Sequence, residues 1–282
     1  AAKELAALAE RAGVPVFMNG AGRGSLSHDH PQAFAQARGF ALGQADFALI
    51  LGTPLDFRLG YGRPPSFAEH AQVAMVDCDA VELGRNRPLA VGLTSHIGLT
   101  LQALADALPR GLAARVHPWL AAVRGKETDS QARLMTERLS DDVPISHYRL
   151  GHEIAAVVDA LTTVVGDGGD VVGCASKIVP LSRPGQWLDP GPFGCLGVGL
   201  MASLVPIALA SGWSALVLFL IRIPLNPMSV VLGALVVAIA GKPSAAMSLA
   251  VPASQALGST RGRPGTCKAS RRSALVLSML SA

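Results

Sequence analysis

A loop rich in glycine and proline, WLDPGPFGCLGVG at 187–199, has the composition that most directly indicates a binding site. Proline restricts the backbone and glycine removes the side chain, so such a loop is rigid and can pack closely against a flat ligand. A tight structural turn is the alternative interpretation.

A second candidate lies just upstream. The stretch 162–166 predicts a short strand, and Asp167-Gly168-Gly169-Asp170 follows it. Glycines in this position let the backbone approach an anionic group at the N-terminus of the next helix. We therefore predict that Asp167, Gly168 and Gly169 bind the anionic part of a cofactor.

Three loops in the first half, at 19–24, 52–62 and 77–85, carry further candidates for ligand binding. Gly20, Gly22 and Gly24 do not form the GxGxxG dinucleotide fingerprint, because the third glycine comes one residue early. A turn that needs positive φ explains them equally. Asp56 and Arg58 either contact a ligand or pair with each other. The candidate residues are Gly20, Arg23, Gly52, Asp56, Arg58, Asp77 and Asp79.

Strands that alternate with helices must position these loops. Apolar runs at 14–18, 46–52 and 72–77 predict buried strands, and apolar spacing predicts helices at 3–12, around 32–42 and at 97–108. The strands lack alternating polarity, which favours a parallel sheet covered on both faces. Ligands of such sheets bind at the carboxyl ends of the strands, where the three loops lie.

The predicted fold class is α/β, with a doubly wound parallel-sheet central domain at 1–110. A charged, polar linker with a solvated helix is predicted at 111–143, and the beginning of a second α/β domain at 144–199. Residues 200–282 form an atypical apolar and basic tail. The first residue is not Met and falls within a helical pattern, so we expect a fragment.

Histidine and cysteine positions do not predict a metal site. His28 and His30 lack a third ligand, and His147 and His152 are expected on a helix surface. The four cysteines show no CxxC pair, which favours reduced thiols and a cytoplasmic location. The net charge of +4 arises in the tail, where aromatic residues are too sparse for stacking on bases, so nucleic acid is not an expected partner.

Residues 1–199 resemble thiamine diphosphate-dependent enzymes of the acetolactate synthase-like group. MNGAGRG at 18–24, LGTPLDFRLGYG at 51–62 and VDCDAVELGRNR at 76–87 resemble the central domain, which binds FAD in some members. VVGDGGD at 164–170 resembles the strand and loop that meet the cofactor diphosphate. WLDPGPFGCLGVG resembles the loop that holds its aminopyrimidine.

This resemblance implies decarboxylation and carboligation of 2-keto acids, a transferase or lyase activity with a place in branched-chain amino acid biosynthesis. It implies thiamine diphosphate, Mg²⁺ and a homo-oligomer. Leu196 matches the apolar residue that props the cofactor into its bent shape, and Gly194 and Cys195 match positions whose backbone contacts the aminopyrimidine. The glutamate that activates the cofactor comes from an N-terminal domain in this family and is not found here.

The expected Mg²⁺ ligands are missing as well. All twenty acidic residues lie at or before Asp189, so a metal motif with an Asp beyond Gly199 cannot occur, and Asn226 alone does not replace it. We therefore expect this chain alone to be inactive. The alternative is a non-catalytic remnant or cofactor-incompetent binding module. The catalytic residues themselves are not predicted.

Three explanations of the tail remain open. The uncharged stretches 200–221 and 223–241 are long enough to span a membrane, with the basic end facing the cytoplasm, although Pro206, Pro224 and Pro227 interrupt them. A divergent soluble half is the second explanation. The third is a shift of reading frame near codon 199, which we favour because resemblance ends there; a membrane partner is accordingly not expected.

Overall fold

The computed structural model describes residues 1–166, 169–197 and 199, several helical positions between 201 and 220, and the strand 274–279. Within these ranges, six helices and eight strands have defined bounds. The helices are α1 (Ala2–Ala12), α2 (Arg38–Gln44), α3 (Ile97–Ala107), α4 (Leu112–Arg138), α5 (His147–Val157) and α6 (Asp170–Ala175). The strands are β1 (Val16–Asn19), β2 (Ala33–Phe34), β3 (Phe47–Leu51), β4 (Gln72–Asp77), β5 (Val91–Thr94), β6 (Val164–Val165), β7 (Trp187–Leu188) and β8 (Ala274–Met279).

The first domain is built on a six-stranded sheet in the order β2-β1-β8-β3-β4-β5. The pairs β1–β2, β3–β4 and β4–β5 are parallel, as predicted. Strand β8 lies between β1 and β3 and pairs antiparallel with both. The α/β class with a parallel-sheet first domain is confirmed.

Apolar side chains explain why the predicted elements form. Helix α1 buries Leu5, Leu8, Ala9 and Ala12, which are spaced three or four residues apart, and it ends at Gly13 in the left-handed conformation. Successive residues of β3 and β4 are buried, and because successive side chains of a strand point to opposite faces, both faces of the sheet are covered there.

Ile50 lies at the centre of this core and is fully buried. Replacing Ile50 with Ala should lower the free energy of unfolding by about 3 kcal/mol, because the site cannot collapse around the lost atoms. Leu93 on the edge strand β5 is 44% exposed, and Leu93→Ala should cost less than about 1 kcal/mol. Urea denaturation measures both; equal losses would contradict this assignment of the core.

Two local predictions need correction, and one strand was not predicted. The predicted helix around 32–42 begins only at Arg38, because residues 33–34 pair with β1 as a short strand. Strand β5 was not predicted, since its exposed residues give no buried apolar run. The linker helix is not fully solvated: α4 buries Val116, Trp119, Val123 and Glu127 against the first domain.

The second unit begins at α5 and holds a small core of its own. Trp187, Ala175, Val179 and Leu181 are buried together, and the strands β6 and β7 pair in parallel beside them. The predicted helix from 147 and the strand near 164 are therefore present, although α5 ends at Val157 rather than near 160.

Most of the tail lies outside the described residues, including most of the two stretches long enough to span a membrane. Within the described part of the chain, no helix has the length and apolar character needed to cross a membrane.

Candidate functional site

The loop after β1 docks directly onto the second unit. The backbone N–H of His28 donates to the carbonyl oxygen of Leu181 at 2.9 Å, and Nη1 of Arg23 donates to the carbonyl oxygen of Ser176 at 3.1 Å. Gly24, with φ of +81°, lies so close to Arg183 that a Cβ would overlap its carbonyl group. Glycine is therefore required at this contact, which brings the carboxyl ends of the strands against 176–189.

A cavity of about 400 Å³ lies at this junction, and we call it the basic cavity. One wall comes from β1, β2 and the loops of the first domain, and the other comes from α6 and the loop after β7. The charged side chains that line it are Arg23, Arg38, Arg58, Lys177, Asp170 and Asp189. Four cations thus face two carboxylates, so positive charge is in excess.

Arg23 is the most confined of these cations. Its guanidinium lies 5.7 Å from the centre of the Trp187 ring, and its buried Nε has no hydrogen-bond partner among the described residues. Burial, with the neighbouring charge of Arg38, lowers the pKa of Arg23 to about 10. Arg23 therefore still carries its charge at neutral pH, in surroundings that disfavour charge.

Arg38 is a second cation whose surroundings disfavour its charge. Burial and the charge of Arg58 lower the pKa of Arg38, while Asp56 acts in the opposite direction. Arg58 itself pairs with Asp56 at 2.7 Å, so the pairing alternative foreseen for these two residues is present. Arg58 nevertheless lines the cavity, and its carbonyl oxygen accepts a 3.4 Å hydrogen bond from Nη2 of Arg38.

A second, adjoining cavity of about 230 Å³ brings two predicted nucleotide loops to the glycine-rich loop. Gly20, Gly52 and Arg58 line one side of it, and residues 189–193 line the other. Gly20 and Gly52 both have positive φ, so the turn explanation holds for them while they also border a cavity. Asn19, at the end of β1, is buried there, and its Nδ2 has no hydrogen-bond partner in the ranges that the structure describes.

Within the glycine-rich loop, Asp189 fixes the first turn. Its carboxylate accepts hydrogen bonds from Nε1 of Trp187 at 2.8 Å and from the backbone N–H of Gly191 at 2.9 Å. Beyond this turn Gly194, Cys195 and Leu196 are exposed, and the Leu196 side chain is 82% accessible. Gly194 also lines the basic cavity.

The remaining predicted site residues lie elsewhere. Asp167 and Gly168 lie outside the described residues, whereas Gly169 borders the basic cavity. Asp77 and Asp79 line neither cavity, because each carboxylate accepts a backbone N–H two residues further on and so closes its own turn. The sequence interpretation missed Arg38 and Lys177, which follow no glycine-rich loop.

Histidine and cysteine contacts are ordinary ones. His30 Nε2 lies 3.1 Å from Glu10, and His28 Nε2 lies 3.0 Å from Asp29. Cys78, Cys174 and Cys195 form no disulfide bond within the part of the chain that the structure describes. Over the described ranges, no three His, Cys, Asp or Glu side chains come together in a way that would hold a metal ion.

These surroundings fit some cofactor groups and not others. A cavity with surplus guanidinium charge and an unpartnered buried Nε fits a phosphate or diphosphate. The exposed backbone of Gly194 and Cys195 can meet an aromatic ring, with Leu196 beside it. The described residues do not supply carboxylates grouped for Mg²⁺, and no acidic residue follows Asp189.

Known proteins match both the first domain and the chain beyond the linker. The family model described as thiamine pyrophosphate enzyme, central domain, matches residues 1–104. The acetolactate synthase large subunit of Mycobacterium tuberculosis is 40% identical over 195 residues, which are 68% of this chain and 34% of that protein. The 2-hydroxyacyl-CoA lyase 2 of Caenorhabditis elegans is 33% identical over 205 residues, 70% of this chain and 31% of that protein.

The human 2-hydroxyacyl-CoA lyase 2 is 32% identical over 204 residues, 70% of this chain and 32% of its own length. The chain thus spans about a third of the length of the curated relatives it matches. With the parallel-sheet first domain and the matches on both sides of the linker, the chain belongs to the thiamine pyrophosphate enzyme family, in its acetolactate synthase-like group.

Proposed function

We propose that the basic cavity binds the phosphate-bearing part of a nucleotide cofactor in a thiamine diphosphate-dependent enzyme acting on 2-keto acids. The observation that carries this proposal is the convergence of Arg23, Arg38 and Arg58 at the carboxyl ends of the strands. Diphosphate groups accept charge-assisted hydrogen bonds from guanidinium groups. FAD is the first candidate ligand, and an ADP-containing ligand is the second.

The second part of the proposal concerns thiamine diphosphate. When bound, it supplies a carbanion that adds to a keto acid. The backbone of Gly194 and Cys195 would contact its aminopyrimidine, Leu196 would support its bent shape, and Asp167, Gly168 and Gly169 would meet its diphosphate. Mg²⁺ would be the accompanying metal in the intact enzyme, yet this chain lacks carboxylates beyond Asp189 to hold it.

For this reason the chain alone is proposed to bind a nucleotide without turning over substrate. The assay is acetolactate formation from pyruvate with added thiamine diphosphate, Mg²⁺ and FAD. Steady formation of acetolactate by the purified chain would contradict the proposal that the chain alone is inactive. Nucleotide binding without turnover would identify a binding module, whereas absence of both would identify a chain that neither binds the nucleotide nor catalyses the reaction.

A second candidate activity is cleavage of 2-hydroxyacyl-CoA, because relatives with that name match 70% of the chain. Coenzyme A carries an ADP unit, whose phosphates suit the same cations. Competition between coenzyme A and FAD for the purified chain separates the two candidates: displacement of FAD by coenzyme A at comparable concentration would favour the acyl-CoA activity.

The first test of the nucleotide site is Arg38→Gln. This change removes a charge facing the cavity and should weaken FAD or ADP binding about 10- to 100-fold, the usual range for a lost charge-assisted hydrogen bond. Arg115, exposed on α4 and remote from the cavity lining, provides the control Arg115→Gln, which should leave affinity unchanged. Isothermal titration calorimetry measures both; equal affinities in the two variants would remove Arg38 from the site.

The cellular setting is proposed from family membership. A cytoplasmic, homo-oligomeric enzyme of branched-chain amino acid biosynthesis fits the acetolactate synthase relatives best. Size-exclusion chromatography with light scattering of the purified chain tests the assembly, and a monomer at micromolar concentration would argue against self-association by this part of the protein.

A further inference from the structure

Glu127, in the middle of the linker helix α4, holds a buried carboxylate that no cation pairs with among the hydrogen bonds and ion pairs of the described residues. The residue is 7% exposed. Its two oxygens accept hydrogen bonds from the backbone N–H groups of Ala35, Gln36 and Ala37, at 2.7–3.2 Å. Nε2 of Gln131, one turn along α4, donates a further hydrogen bond at 3.2 Å.

The segment held by this carboxylate, residues 35–37, is itself part of the site. Ala35 lines the basic cavity, and Arg38 follows directly. On the other side, Nε2 of Gln36 donates to the carbonyl oxygen of Lys177 at 2.8 Å, in the second unit. One short segment therefore touches the linker helix, the second unit and the basic cavity.

The hydrogen bonds of Glu127 explain how a carboxylate can be buried here. Removing a charge from water is costly unless it is hydrogen-bonded, and three backbone N–H groups with Gln131 supply those bonds. An apolar side chain would leave the three N–H groups of residues 35–37 without this acceptor. The carboxylate fixes the backbone of residues 35–37. Its two oxygens accept hydrogen bonds from three successive backbone N–H groups, and this restricts the conformation of the segment. The backbone that carries Arg38 is thereby fixed in space.

We propose that Glu127 is a positioning residue that couples the linker helix to the basic cavity by fixing residues 35–37 and, through them, Arg38. The claim that Glu127 supports nucleotide binding rests on the proposed function. The claim that Glu127 fixes the position of Arg38 does not depend on it. The prediction is that Glu127→Ala frees the segment, exposes Arg38 and weakens FAD binding about tenfold, as loss of several hydrogen bonds to one group would. Glu127→Gln, which keeps the shape and one acceptor oxygen, should restore part of the effect.

The test uses the full chain and two readouts. Mass spectrometry after phenylglyoxal treatment measures the modification rate of Arg38 relative to Arg87, whose guanidinium donates to four backbone carbonyl groups away from the cavity. Calorimetry with FAD and ADP measures affinity. Glu137→Gln, on an exposed residue of the same helix, is the control and should change neither readout.

The outcomes separate the two proposals. Selective acceleration at Arg38 in Glu127→Ala, partly reversed in Glu127→Gln, supports positioning even when the unaltered chain binds neither nucleotide, a result that would overturn only the proposed function. Equal acceleration at Arg38 and Arg87 would show a general loss of stability and overturn the positioning role. An unchanged rate at Arg38 would overturn it as well.

Discussion

Gly24→Ala is expected to separate the loop after β1 from the second unit and to lower the free energy of unfolding by at least about 2 kcal/mol. Two independent causes act in the same direction. The φ of +81° disfavours any side chain, and the added Cβ would lie 2.9 Å from the carbonyl carbon of Arg183 and closer still to its oxygen. Because the opposing atoms are backbone, the strain cannot be relieved by rotating a side chain.

The expected consequence reaches the site, because the same loop carries Arg23. Movement of Gly24 away from Arg183 would break the hydrogen bonds from His28 to Leu181 and from Arg23 to Ser176. Amide hydrogen exchange at these positions, with the midpoint of thermal unfolding, measures the effect.

Gly39 provides the matched control, because it lies in α2 with nothing within 4 Å of an added Cβ. Gly39→Ala should be neutral or stabilise the protein by up to about 1 kcal/mol, since alanine favours helix more than glycine does. Equal behaviour of the two variants would mean that the loop and the second unit do not meet at Gly24.

Sequence reasoning located the parts of this site that depend on local patterns. Strands β3 and β4 are continuous apolar runs, and Arg23 and Arg58 lie in loops that follow strands, where a parallel sheet collects its ligands. These features need only the neighbouring residues to be recognised, so the α/β fold could be predicted from the sequence, together with loops that border a cavity at the strand ends.

The missed residues depend on distant parts of the chain. Arg38 lies near the cavity because residues 33–34 form a strand, and two residues give no periodic signal. Glu127 looked like one charge among many on a polar helix, because its importance comes from packing against residues about ninety positions earlier. Asp77 and Asp79 show the limit of the local pattern itself, because acidic residues after a strand equally well close their own turn.

Arg23→Met is expected to stabilise the ligand-free chain while it weakens nucleotide binding. Burial and repulsion by Arg38 and Arg58 make the Arg23 guanidinium costly, and Asp189 offsets part of that cost. Met has a similar length and no charge. The opposing loss is the hydrogen bond to the carbonyl of Ser176 and the contact with the Trp187 ring. Since replacing buried charges with apolar groups often stabilises proteins by about 1–4 kcal/mol, a net gain of about 1 kcal/mol is expected.

The same charge that destabilises the empty cavity should favour its ligand. An anion entering the cavity supplies the acceptor that Nε of Arg23 lacks among the described residues, so FAD or ADP affinity should fall about 10-fold or more in Arg23→Met. Urea denaturation with and without nucleotide measures both effects on one sample, and Arg115→Met, exposed on α4, controls for loss of charge alone. Lower stability of Arg23→Met with unchanged nucleotide affinity would identify Arg23 as a structural contact between the two units. Higher stability with weaker nucleotide affinity would show that the cavity retains a costly cation because an anion binds there.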